Sequence, residues 1–414
     1  MKNTTSSSLK PALKKDLNLT LINAVENPRG ESPYEDGLTE MVAGLLARGA
    51  DVNARALDDA TALMLAAKNG HTEIIAKLLD QGADVNAVKK LTGGTALMFA
   101  AQNGRAEIVD KLLARGAYIE AKTSNGDTAL IIAALNGHTE IVAQLLARGA
   151  YIEAKTSNGD TALMFAAKNG HTEIVAQLLA RVAYIEAKTS NGDTALMFAA
   201  KNGHTEIVAL LLDRGADFNV AIRPDGVTAL MFAAKNGHTE IVAKLLARGA
   251  DFDARASDDA TALMIAAGNG HTEIVAQLLA RGAYIEAKTS NGVTALILAA
   301  QNGHTDIVAK LLDQGADFNV AIRPDGATAL MIAAQNGHTD IVAKLLDQGA
   351  DFNVAIRPDG ATALMLAAGN GHTEIVALLL DQGADFNVAI RPDGATALMI
   401  AAQNGHTDIV AKLL

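Results

Sequence analysis

Thr161-Ala162-Leu163-Met164-Phe165-Ala166-Ala167-Lys168-Asn169-Gly170-His171-Thr172-Glu173-Ile174-Val175-Ala176-Gln177-Leu178-Leu179 is one copy of a phrase that decides the architecture. It recurs with a period of 33 or 34 residues, its threonine falling at Thr61, Thr95, Thr128, Thr161, Thr194, Thr228, Thr261, Thr294, Thr328, Thr362 and Thr396. Self-similarity at such a period marks a solenoid, because each unit is too small to bury its own apolar face and must lean on the next. Eleven copies, with a degenerate unit before them, fill nearly the whole chain of 414 residues.

One unit, residues 157–190, shows the local logic. Asn158-Gly159 is a turn signal. Thr161 opens a short helix over 162–168, in which Leu163, Ala166 and Ala167 follow helical spacing. Asn169-Gly170 ends it, since glycine accepts the left-handed conformation beyond a helix C-terminus without a Cβ clash. His171-Thr172-Glu173 opens a second helix, with Glu173 and Arg181 complementing the two ends of its dipole. Ile174, Val175, Leu178 and Leu179 form its apolar face. Tyr184-Ile185-Glu186-Ala187-Lys188 alternates like a strand and leads to the next Asn191-Gly192 turn.

From about residue 38 to 414 the chain resembles an ankyrin-repeat protein. The middle of that family's pattern is matched by Gly70-His71, Ile74 and Leu78-Leu79, and its end by Gly82-Ala83-Asp84-Val85-Asn86-Ala87. The start departs, with Thr-Ala-Leu-Met or Thr-Ala-Leu-Ile in place of Thr-Pro-Leu-His, which gives up a preset first φ angle and a Thr–His hydrogen bond. The resemblance implies an all-α solenoid of helix-turn-helix units with β-hairpin finger loops, about twelve repeats in all. It also implies partners that dock on the finger tips and on the exposed inner face of the first helix.

The ends read differently from the middle. Residues 1–16 are rich in Ser, Thr and Lys and are expected to be disordered; residues 17–56 read as a divergent N-terminal capping repeat, and 57–414 as eleven tandem repeats, the last incomplete. The final Lys412-Leu413-Leu414 falls inside a second helix, so truncation is the favoured reading over packing against another copy. A monomer, or weak association through that uncapped end, is expected. Val182 stands where every other complete unit has glycine, and a β-branched residue in left-handed geometry costs roughly 1–2 kcal/mol, so a local bend or register change is expected there.

Composition narrows the function. Half of the residues are apolar but only 3% are aromatic, so Ala, Leu, Ile, Val and Met build the core. A net charge of −11 without a clustered basic surface argues against nucleic acid as partner. The chain has no run of ~18 apolar residues to span a membrane and no apolar leader segment at its start, so no membrane partner and a cytoplasmic location are expected. Without cysteine there are no disulfides, Cys-zinc sites or thiol nucleophiles.

The ten histidines, from His71 to His406, all occupy the Asn-Gly-His position. A residue repeated in every unit is set by the unit's geometry, here a bond bracing the loop before the second helix. Metal ligands must converge on one ion, whereas equivalent positions in neighbouring units lie about 8–10 Å apart. Ser157 and Ser190 lack a base to activate them. No catalytic, cofactor or metal site is expected.

What remains are positions that differ between units. The position seven after each motif threonine runs Lys68, Gln102, Leu135, Lys168, Lys201, Lys235, Gly268, Gln301, Gln335, Gly369, Gln403. The position just before that threonine is Asp127, Asp160 and Asp193 in middle units, and Val or Ala in most later ones. Lys168, Lys201 and Lys235 with those aspartates are expected to line a groove that is polar first and smoother later. Tyr118, Tyr151 and Tyr184 replace the usual aspartate in three consecutive units and form an expected ladder of contact residues. Arg223, Arg323, Arg357 and Arg391 sit in the later Ile-Arg-Pro-Asp-Gly fingers and complete the candidate partner-binding set. The expected function is a non-catalytic scaffold that binds a partner protein. The runner-up is a targeting arm of a larger protein, in one version a secreted microbial effector, whose catalytic or membrane domain lies beyond residue 414.

Overall fold

A threonine can close a helix start because its hydroxyl replaces the hydrogen-bond partner that the first-turn N–H groups lack. In the computed structural model each described motif threonine is used this way: Thr161 is extended (φ −107°) and its Oγ1 accepts from the Met164 N–H at 3.4 Å. At Thr61 the cap is reciprocal, the Met64 sulfur accepting from the Thr61 N–H at 3.4 Å. The structure describes residues 11–26, 35–219, 224–321, 326–354, 360–388 and 394–414.

Twenty-four helices run through the described residues, from Pro11–Glu26 to Thr407–Leu413. A repeat is a first helix such as Ala162–Asn169, a left-handed glycine (Gly170, φ 81°), and a second helix such as Thr172–Ala180. The first helix buries Leu163, Met164, Ala166 and Ala167, and the second buries Ile174, Val175, Leu178 and Leu179. Each large side chain of that set contributes roughly 1.5–3 kcal/mol by leaving water, and the paired alanines let neighbouring first helices approach closely.

Two compact units make up the chain, Met1–Ala199 with Asp213–Ala216, and Ala200–Leu212 with Asp217–Leu414. In the first, helices Pro11–Glu26, Ala62–Asn69, Ala96–Gln102, Ala129–Asn136 and Ala162–Asn169 pack in succession, with their second helices alongside. In the second, Ala229–Lys235, Ala262–Gly268, Ala295–Gln301, Ala329–Asn336, Ala363–Asn370 and Ala397–Gln403 repeat the arrangement.

Three expectations change. Residues 11–16, expected to be disordered, lie within the helix Pro11–Glu26, while residues 1–10 of that expected tail lie outside the described residues. That helix is held by burial of Leu17, Leu21, Ile22 and Val25. The segment with strand-like alternation is a turn, closed by Ala187 N–H on Tyr184 O at 3.2 Å, and the alternation reflects a buried Ala187 beside an exposed Lys188. Among the described residues the one β pairing is an isolated bridge between Arg55 and Thr61.

The third concerns Val182. It takes the left-handed conformation (φ 63°), as the glycines at its position do. Its N–H reaches Leu179 O at 3.1 Å and Ala183 N–H reaches Leu178 O at 3.1 Å, the same pattern as at Gly149 and Ala150. The expected bend or register change is therefore not there. The strain stays in one residue because the side chain points into solvent, 86% exposed.

Candidate functional site

Three kinds of bond run from repeat to repeat, and together they decide which side chains are free to vary. At the helix–helix turn, His Nε2 donates to a carbonyl in the preceding repeat: His138 to Gln102 O (3.0 Å), His238 to Lys201 O (3.1 Å), His271 to Lys235 O (3.1 Å), His372 to Gln335 O (3.0 Å). The histidine thus has the structural role that its repetition implies, but it braces the neighbouring repeat and not its own loop. Its ring lies so close to the preceding glycine that a Cβ on Gly137 would stand 2.6 Å from His171 Cε1. Asn169 adds a second bond of the same kind, from Nδ2 to Leu135 O at 2.8 Å. Where the motif has Arg105 in place of histidine, its guanidinium packs over Gly70.

Fingers are joined by backbone. Thr156 N–H on Asp160 O (3.0 Å) closes one finger turn, and Ser157 N–H on Asn125 O (2.7 Å) ties it to the finger before. Gly159 is required on two counts, a φ of 84° and a position where a Cβ would meet Lys188 O at 3.1 Å.

The tyrosines begin the fingers, where their N–H groups are held by side chains of the preceding repeat. Tyr118 N–H donates to Asn86 Oδ1, Tyr151 to Glu120 Oε1 and Tyr184 to Glu153 Oε1, each at 2.7 Å. Their side chains are 62%, 60% and 61% exposed, an evenly presented row in the first unit. Tyr284 in the second unit has the same geometry, its N–H on Asp253 Oδ1 at 2.9 Å. Reading the repeats as columns would have added it to the set.

The aspartates are less available than the groove reading supposed. Asp127, Asp160 and Asp193 are half-buried. The Thr123 hydroxyl donates to Asp127 Oδ2 at 2.9 Å and the Thr156 hydroxyl to Asp160 Oδ2 at 3.3 Å. Each aspartate N–H also donates to that threonine, as the Asp193 N–H does to Thr189 Oγ1 at 3.1 Å. Val293 makes the same N–H bond to Thr289 without a carboxylate, so the turn does not need one.

The lysines stand at the other end of the first helix, exposed, with aromatic support that the sequence reading did not anticipate. Lys168 Nζ lies 5.6 Å from the centre of the Phe198 ring, and Lys201 Nζ lies 5.5 Å from that of Phe232, within cation–π range. Phe99, Phe165, Phe198 and Phe232 share the position four after the motif threonine, and all four are half-buried. That column reads Ile or Leu in the later repeats, which is the signal that would have found it. Lys235 faces a repeat with Ile265 in that column. Arg223, Arg323, Arg357 and Arg391 lie outside the described residues.

Among the described residues no group of three or more His, Asp or Glu is placed to hold a metal ion, and no helix is long and apolar enough to cross a membrane. A family model described as ankyrin repeats (3 copies) matches residues 34–123, 118–189, 182–256, 219–289, 263–356 and 330–414. No curated protein matches the chain.

Proposed function

Since the chain belongs to the ankyrin-repeat family, whose repeats are in general protein–protein interaction modules, we propose that it is a non-catalytic scaffold that binds a partner protein through its first-helix face and finger bases. One observation carries this reading. In the repeats that begin at Thr128, Thr161, Thr228, Thr261, Thr294, Thr328, Thr362 and Thr396 the histidine pins the backbone carbonyl at the position seven after the preceding motif threonine. The residue at that position differs from repeat to repeat and, where it has a side chain, is exposed. A rigid backbone with interchangeable exposed side chains is what selective recognition needs, because preorganisation lowers the ordering cost of binding. Tyr118, Tyr151 and Tyr184 add large, evenly spaced contact surfaces of a type enriched at binding hot spots.

Affinity capture tests the proposal, with the chain as bait beside a variant carrying Asp127, Asp160, Asp193, Lys168, Lys201 and Lys235 changed to Ala, and a second with all three tyrosines changed to Ala. A protein held by the parent and lost with either variant supports the reading. Captures that are identical for all three baits contradict it.

A further inference from the structure

Within the second unit, one stretch of first-helix face combines apolar surface with two exposed lysines. Lys201 and Lys235 are exposed at the helix ends, and Phe232 and Ile265 are half-buried between them and the fingers. Their finger-side neighbours are Val227 and Ala260, where earlier repeats have Asp127 and Asp160. Of the carboxylates in the adjoining fingers, Asp225 accepts from the Val227 N–H at 3.2 Å and Asp258 from the Ala260 N–H at 3.1 Å, each through one oxygen, and Asp259 is half-buried. Both lysines are fixed at the main chain, since His238 and His271 bond their carbonyls at 3.1 Å. The Phe232 ring also holds the Lys201 ammonium 5.5 Å from its centre.

We propose that this face receives an acidic segment of a partner protein, with carboxylates toward Lys201 and Lys235 and apolar side chains against Phe232 and Ile265. The proposal rests on the reading of the array as a protein-recognition module and names the chemistry of the partner. A lysine held over an aromatic face loses less freedom on meeting a carboxylate, so charge complementarity acts here on preorganised groups. The array's net charge of −11 works against a polyanion that spreads its charge evenly, and such a ligand would leave the apolar row uncovered. A peptide that carries both acids and apolar side chains satisfies both features. Successive first helices lie about 8–10 Å apart. At about 1.5 Å per residue this sets partner carboxylates about five to seven residues apart in a helical segment, of which about seven keeps them on one helix face, and at about 3.3 Å per residue about two to three apart in an extended one.

The experiment uses the full chain and two fluorescein-labelled synthetic peptides, followed by fluorescence anisotropy at low and near-physiological salt. One peptide is helical, with glutamates seven residues apart and leucines between them; the other has lysine in place of each glutamate. The acidic peptide is expected to bind with salt-dependent affinity, and the basic one to bind less well. Lys201→Gln with Lys235→Gln should weaken the acidic peptide roughly fivefold to tenfold, the range of two exposed ion pairs. Phe232→Leu, which keeps the apolar row but removes the ring, should weaken it about twofold to threefold. Lys201→Arg with Lys235→Arg should restore binding, and Lys310→Gln with Lys344→Gln, on second helices, should leave it unchanged. No binding of the acidic peptide, equal or tighter binding of the basic one, or indifference to the loss of Lys201 and Lys235 each overturns the proposal. If affinity capture still yields a partner that depends on the varied face, only the acidic class falls; if it does not, the recognition reading falls as well.

Discussion

At the Asn-Gly-His turn the repeats are nearly identical; on the first-helix face beside it they differ. The turn is where one repeat is bonded to the next, with His Nε2 on a carbonyl and its ring against a glycine in close contact. The face carries Lys, Gln, Leu or Gly at one position and Phe, Ile or Leu at another, with no change in helix bounds beyond a residue. The turn is thus fixed by close inter-repeat contacts, while the exposed face varies with the helix bounds almost unchanged. Ankyrin repeats divide labour between these two regions, and the division can be attacked from either side.

The largest effect is expected at the turn. Gly137→Ala puts a Cβ 2.6 Å from His171 Cε1 on a backbone with φ 78°, so the ring must move and give up its bond to Leu135 O. A loss of about 2–4 kcal/mol in chemical denaturation is expected from left-handed strain with the broken hydrogen bond. A loss below about 1 kcal/mol would show that the turn is not the rigid element.

Val182 sharpens the comparison from the opposite direction. Glycine there should relieve a strain confined to one exposed residue and raise stability by about 1–2 kcal/mol, less the extra entropy of an unfolded glycine. Hydrogen exchange should show that the added protection stays near residues 178–184. A stabilisation spread over the whole first unit would mean that Val182 does disturb packing.

The smallest effect belongs to the surface charges. Lys89 donates to Asp58 Oδ2 at 2.5 Å and holds that carboxyl below its ordinary value of 3.8, helped by the Ala60 N–H. A depressed folded-state pKa gives stability that is present above the ordinary value and lost as pH falls through the folded one. Asp58→Asn should therefore lower the thermal midpoint by about 1 °C or less at neutral pH, and the difference should shrink as the pH falls below 3.8 and through the lowered carboxyl pKa. A larger or pH-independent difference would mean that the ion pair supports the finger by some other route.

Much of this was legible in the chain. The threonine caps, the left-handed glycines and the spacing of the apolar residues are local to one unit, so a single copy shows them, and setting the copies side by side gives the period. What escaped were bonds between residues more than thirty positions apart, such as Tyr184 N–H on Glu153 or His138 on Gln102. A repeat read alone cannot reveal its neighbour's acceptor. Asp127 and Asp160 were read as groove charges because their bond to a threonine four residues earlier depends on how the finger folds back. The phenylalanine column was overlooked because a half-buried aromatic in a helix reads as core until the lysine above it is seen.

The most direct test of the division of labour is urea unfolding of two variants beside the parent chain. One carries Tyr118→Ala, Tyr151→Ala, Tyr184→Ala, Lys201→Gln and Lys235→Gln on the varied positions; the other carries only His238→Ala and His271→Ala at the turns. The account predicts that the five-site variant stays within about 1 kcal/mol of the parent, while the two histidine changes cost about 2 kcal/mol or more together. A five-site variant that unfolds well before the histidine variant would contradict it, since the varied positions would then belong to the scaffold.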